Sequence, residues 1–156
     1  MALFLHPAPT VAWVNGHAVA GGCLVVQACD VRVAGDAPAT RIGMTGVGIG
    51  LRYPPFVFDI LRSRLRPEAL EEVVTGARRY DVHGAAALGL LDEVVPADGA
   101  RERAVRRLEE RAELPRAAYA AAKRDLRRRW LTAEGEAFLR AAVPSWAAAI
   151  RRRPTG

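Results

Sequence analysis

Apolar positions along the chain change their period several times, and each change marks an element. Thr10 to Val14 is a short apolar run with β-branched side chains, which predicts a buried strand, and Gly21 to Ala28 reads as a helix packed against it. Val31 to Ala34 predicts the next strand and closes a strand-helix-strand unit, a crossover that is right-handed almost without exception. Gly35 to Thr40 has loop composition, and Gly43 to Pro55 is rich in Gly and Pro. From Phe56 the period turns helical. Val57, Ile60, Leu61 and Leu65 share a face, Pro67 suits the first turn of a second helix, and Leu70, Val73 and Val74 line its inner side. Gly76 stops that helix, Asp81 predicts a cap for a short helix reaching Leu88, and Leu90 to Val95 is strand-like before Pro96.

Beyond Gly99 the pattern is helical throughout. Ala104, Val105, Leu108 and Ala112 form one apolar stripe, and Ala118, Ala122, Leu126 and Trp130 form another. A third helix is expected after Thr132 with Phe138, Ala142, Trp146 and Ile150 inward, kinked or divided by Pro144. The expected organisation is therefore an α/β core over residues 1–98 and a helical region over 99–156.

Composition narrows the class. With 156 residues, 51% of them hydrophobic and 26% charged, the chain has the balance of a single globular domain. It has no long apolar run, and its opening, Met1 to Pro7, lacks the basic start of a secretory signal, so a soluble cytoplasmic protein with no membrane partner is expected. Two cysteines, Cys23 and Cys29, without paired spacing or a histidine pair, argue against structural zinc or a disulfide framework. The net charge of +6 is uneven: residues 1–100 hold eight Arg against ten acids, and residues 101–156 hold fifteen Arg or Lys against seven. Such a basic tail attracts polyanions, whether nucleic acid, membrane phosphate or a phosphorylated cofactor.

The candidate chemistry sits where the first strand meets the first helix. The stretch Asn15-Gly16-His17-Ala18-Val19-Ala20-Gly21-Gly22-Cys23 is a small-residue turn leading into a helix start. The first amides of a helix lack internal partners and the macrodipole favours negative charge there, so a substrate oxygen gaining charge can bind at Gly21 and Gly22.

This stretch resembles the crotonase superfamily, the enoyl-CoA hydratase and isomerase group, which carries a similar N-G-x-A-x-G-G-G-C run. The likeness continues in order through Ala28 to Ala34, Arg41-Ile42-Gly43, Val74 to Arg78 and Gly84 to Pro96. It implies an α/β fold, here a partial crotonase-like ββα spiral followed by a C-terminal helical region that covers the substrate site and builds trimers or hexamers. It also implies an acyl-CoA thioester as partner, with coenzyme A as part of the substrate and no separate cofactor. Gly21 matches the family's oxyanion donor, with Ala20 and Gly22 beside it. Amides aimed at a thioester oxygen stabilise the enolate or tetrahedral species that forms in the transition state.

Two departures count against hydratase chemistry. The glutamate that follows Gly-Gly-Cys in the hydratase pattern is Leu24 here, and the second glutamate falls on Gly46. Neither replacement carries a proton, so weak or absent hydratase activity is expected, with Leu24 and Gly46 lining the substrate site. Family members also have a long segment ahead of this point that supplies the other oxyanion amide, so the alternative expectation is a truncated pseudoenzyme acting as a binding or assembly subunit. Such a chain is expected to show an unpaired sheet edge and exposed apolar surface.

Other residues are weighed against plainer roles. His17 beside the turn is expected to pack beneath the strand, Cys23 to be buried, and Asp30 to make capping or turn hydrogen bonds. Thr45 and Tyr53 lie near the vacated second position and are placed to touch substrate, though neither is a base at neutral pH. Gly46-Val47-Gly48-Ile49-Gly50 lacks the spacing and context of a phosphate loop. The run Lys123 to Arg129 and the tail Arg151 to Arg153 come without a recognition motif, so a solvated helix face is expected in place of nucleic-acid binding. Lys123 and Arg127 are the candidates for coenzyme A phosphates.

Overall fold

The computed structural model describes residues 1–141. Strands β1 (Val11–Val14) and β2 (Ala18–Val19) lead into helix α1 (Gly21–Ala28), and the pattern then repeats with β3 (Val31–Asp36) and β4 (Ile42–Gly43). A single 3-10 turn, Val47–Ile49, precedes α2 (Pro55–Arg62), α3 (Pro67–Thr75) and α4 (Val82–Ala87), and β5 (Glu93–Pro96) follows. The C-terminal part holds α5 (Ala100–Ala112) and α6 (Arg116–Arg128), and residues 133–141 are helical again. No helix among the described residues is long and apolar enough to cross a membrane.

The first two turns of chain each contribute one strand to each of two sheets, and the third adds β5 to the larger one. β1, β3 and β5 form a parallel sheet in that order, with Val11 opposite Val31 and Val33 opposite Glu93. β2 and β4 pair in parallel beside it, with Ala18 opposite Ile42. This is a ββα spiral. β3 is buried along most of its length, as a central parallel strand must be, and it carries a charge into that setting at Arg32. Arg32 is satisfied by a two-pronged pair with Asp92, at 2.6 and 2.9 Å, and by Gln27 Oε1 at 2.6 Å.

The apolar faces predicted for α2 and α3 are the faces that fold inward. Val57, Ile60, Leu61 and Val73 are buried, and Cys23, Ile42, Ala85 and Leu90 meet Val57, Leu61 and Val73 in the main core. A fully buried Leu contributes about 1.5–3 kcal/mol, and Leu61→Ala is expected to cost about 2–5 kcal/mol. Asp81 caps α4 as expected, its carboxylate accepting from the Gly84 amide at 2.7 Å.

The C-terminal helices depart from their hydrophobic pattern. On α5 Ala104 is buried, but Val105 and Leu108 lie on the surface. On α6 the expected stripe of Ala118, Ala122 and Leu126 faces outward, with Leu126 59% exposed, whereas Lys123 and Arg127 are only 7% and 4% exposed. The helix is turned by one position, about 100°, because its ionic partners lie in the core. The predicted loop at Gly35 also moves, since β3 runs on to Asp36. Phe138 stacks on Phe56 at 5.8 Å, while Ala142, Pro144, Trp146 and Ile150 lie outside the described residues.

Candidate active site

β2 delivers the chain to Ala20, whose φ of 51° and ψ of −116° are rare for a residue with a Cβ. Two bonds hold it there: its N–H donates to the Gly43 carbonyl at 2.8 Å, and its carbonyl accepts from Leu24 N–H at 3.1 Å. The bend turns the next amides away from the sheet. Among the described residues, neither Gly21 nor Gly22 N–H meets an acceptor, and no side chain caps the helix. A Cβ built on either glycine touches nothing within 4 Å, so the approach is open. These are free donors at the positive end of a helix.

Leu24 does not enter this space as a polar group. Its hydrocarbon side chain packs against both the main core and the smaller cluster around Phe4, Ala28 and Ile60. Gly46 lies across the β2–β4 pair, three residues beyond the carbonyl that holds Ala20. The Tyr53 hydroxyl accepts from Gly46 N–H at 2.6 Å, and the ring lies over the place where a side chain would start.

Lys123 and Arg127 stand elsewhere, and they are not available for phosphates. Both belong to a cluster around Asp30, which follows the far end of α1, about 12 Å from its N-terminus by helix rise. Lys123 Nζ lies 2.6 Å from Asp30 Oδ2 and Arg127 Nη2 2.5 Å from Oδ1. Thr10 N–H and the Tyr119 hydroxyl donate to the same carboxylate at 2.8 and 2.9 Å, and Arg127 also donates to the carbonyls of Phe4 and Ala28. Burial by itself raises the Asp30 carboxyl, but the Lys123 hydrogen bond and the Arg127 charge outweigh it and hold it below its ordinary value. Asp30 therefore does more than the expected turn bonding: it ties the N-terminal segment and α1 to α6.

His17 is exposed in place of packing beneath the strand, and its Nδ1 accepts from Arg41 N–H at 3.1 Å. Cys23 is buried as expected, and burial pushes its thiol up to about 12, so it is no nucleophile at neutral pH. The Gly46–Gly50 stretch forms a 3-10 turn, not a strand-to-helix phosphate loop. Among the described residues, no group of three His, Cys, Asp or Glu has the arrangement to hold a metal ion.

A cavity of about 730 Å³ is lined in part by Tyr53. Phe58, Val74, Leu51 and Phe138 supply apolar wall, and Asp59 and Thr132 supply polar groups. Asp59 was not legible as a site residue; the only hint is an acid set between Val57 and Ile60 on the inward face of α2.

The family profile described as enoyl-CoA hydratase/isomerase matches residues 1–143. The chain belongs to this family. Rat mitochondrial enoyl-CoA hydratase domain-containing protein 3 is 36% identical over 118 residues, covering 76% of this chain and 38% of that protein. An enoyl-CoA hydratase structure from Mycobacterium ulcerans superposes with a TM-score of 0.77 at 30% identity, covering 83% of this chain and 56% of the other. Human mitochondrial delta3-delta2-enoyl-CoA isomerase gives a TM-score of 0.80 at 26% identity, covering 83% and 50%. This enoyl-CoA hydratase/isomerase family chain spans about a third to two fifths of the length of the curated relatives it matches.

Proposed function

We propose that this chain binds acyl-CoA thioesters, with the thioester oxygen held by the Gly21 and Gly22 amides, and that its hydratase activity is weak or absent. The observation that carries the reading is the pair of unpartnered amides at an open helix start. Coenzyme A enters as part of the substrate, and no separate cofactor is required. The loss of activity follows from Leu24 and Gly46. One donor of an oxyanion site is worth about 10² to 10³ in rate and a positioned acid or base about 10² to 10⁴, so amides without carboxylates bind and polarise but do not move protons efficiently.

Calorimetric titration with butanoyl-CoA, together with turnover of crotonyl-CoA, tests this. Gly21→Pro removes one amide donor at the first helical position and is expected to weaken binding by about 0.5–1.5 kcal/mol, with circular dichroism reporting whether α1 persists, since a proline also restricts the backbone of the preceding Ala20. Hydration of crotonyl-CoA at the rate of an efficient enzyme would overturn the reading.

A second reading, a binding or assembly subunit, is favoured by the outward apolar residues Val105, Leu108, Leu114 and Leu126. Assembly into trimers or hexamers predicts a sedimentation coefficient above that of the monomer, which Leu126→Arg lowers.

A further inference from the structure

Among the described residues β1 is an outermost strand of its sheet, with β3 on one side and no strand on the other. The Thr10 carbonyl accepts from Val31 N–H at 3.2 Å, so Thr10 points its backbone groups at β3. By alternation Ala12 and Val14 do the same, and Val11 and Trp13 turn their N–H and C=O to the open side. Sheet edges are ordinarily guarded by a charge, a proline or a bulge, and Val11-Ala12-Trp13-Val14 has none of these.

An apolar ledge runs beside this edge. Trp13 is opposite Val33 in the register and therefore lies on the face where Val31 and Val33 meet Ala104 of α5. α5 starts over Gly35, where a Cβ would lie 3.4 Å from Ala100, and runs back over Val31, antiparallel to the strands. Arg103 and Arg107 reach Glu93 of β5 at 2.6 and 2.7 Å, which turns one flank of the helix toward β5. At about 100° per residue, Val105 and Leu108 occupy the opposite flank, toward β1. Trp13, Val105 and Leu108 are 42%, 44% and 39% exposed.

We infer that this edge pairs with the same edge of a second copy of the chain, across a two-fold axis at Ala12, so that the two sheets become one. The pairing is antiparallel, with Val11 opposite Trp13 of the second copy, and the outward N–H and C=O groups of each satisfy those of the other. Each Trp13 ring then lies beside a Val11, an aromatic and β-branched pair that favours strand pairing. The helices fit the same axis. α5 lies over β1 and β3, and with strands about 4.8 Å apart the two copies of α5 come within about 10 Å of each other, an ordinary distance for packed helices. Ala104 sits at the level of Arg32, which is opposite Ala12, so the axis passes Val105. Around it the helices are antiparallel, Val105 meets its own copy, and Arg101 faces Glu109 of the second copy, both being exposed. An edge that is its own complement in hydrogen bonding and in charge selects a second copy as its partner. The inference does not depend on thioester binding, and it gives the assembly reading a contact on β1 and α5 in place of α6.

Sedimentation velocity of the full chain over a concentration series, with hydrogen exchange read at single amides, tests it. A dimer is expected at about 100 µM, with the Val11 and Trp13 amides exchanging more slowly there than in the dilute monomer. Val11→Pro deletes an outward N–H, which the first residue of an edge strand tolerates, and is expected to weaken the dimer at least about tenfold. Arg101→Glu sets like charges against each other on both sides of the axis and is expected to weaken it about tenfold, and adding Glu109→Arg is expected to return it to within about threefold of wild type. Both charged positions are exposed on α5, and circular dichroism reports whether each variant keeps its fold. A double variant as weak as Arg101→Glu alone overturns the inference. An assembly lost in Leu126→Arg but unmoved by Val11→Pro and Arg101→Glu also overturns it and leaves the assembly reading intact. A chain that is monomeric at about 100 µM overturns both, whether or not its edge takes up a strand of another polypeptide.

Discussion

A Cβ placed on Gly46 would lie 2.7 Å from the Tyr53 hydroxyl oxygen and from Cε1 of its ring, so the phenol occupies the space into which a side chain at position 46 would grow. Tyr53 is itself buried, edge-on to Phe58 at 6.2 Å, and cannot step aside without cost. Gly46→Glu therefore has no room to place a carboxylate in this space. It is expected to destabilise the fold by about 1–3 kcal/mol through overpacking, read as a lower urea midpoint. The double variant Gly46→Glu with Tyr53→Ala should recover part of that loss, and if Gly46→Glu alone is neutral, the packing account of this turn is wrong.

Asp30 carries the contact between α1 and α6. Asp30→Asn leaves Lys123 and Arg127 buried without their anion, and a loss of about 3–5 kcal/mol is expected in chemical denaturation. A loss under about 1 kcal/mol would mean that the cluster is no stronger than a surface pair.

The same carboxylate sets the response to acid. Burial raises both Asp30 and Asp92, but their cationic partners prevail and the folded values lie below the unfolded ones. A group of that kind contributes stability that is complete above its unfolded pKa and is lost as pH falls toward the folded value. The urea midpoint should hold level from neutrality to about pH 5 and drop below about pH 4. Asp30→Asn should flatten that drop, and a midpoint that rises on acidification would contradict the assignment.

Ala20 offers a prediction of opposite sign. Its φ of 51° is the region glycine enters freely, and Ala20→Gly is expected to stabilise the chain by about 1 kcal/mol while leaving the bend in place. A lower melting temperature in that variant would show that Ala20 is held by favourable side-chain contacts in place of strain.

Much of the spiral was legible because local signals agreed with the fold. Val11 to Val14, the glycines opening α1, the inward faces of α2 and α3 and the Asp81 cap each followed from spacing or capping chemistry. The C-terminal helices were read with the wrong face inward. A hydrophobic period cannot register that Asp30, some ninety residues away in sequence, draws Tyr119, Lys123 and Arg127 into the interior. The same long-range electrostatics removed Lys123 and Arg127 from the expected phosphate site. Tyr53 was placed near the vacated second position from the sequence, but that it fills the volume left by Gly46 was not legible, and Asp59 escaped altogether: the one packs on Gly46 and the other faces Thr132, and neither relation has a signature in neighbouring residues.

The account depends most on the Gly21 and Gly22 amides taking a thioester oxygen. Infrared difference spectroscopy of butanoyl-CoA labelled with carbon-13 at its carbonyl reads that bond directly. The bound carbonyl is predicted to absorb at a lower frequency than in water, with the shift reduced in Gly21→Pro. A bound carbonyl at or above its aqueous frequency, unchanged by that substitution, would contradict the claim.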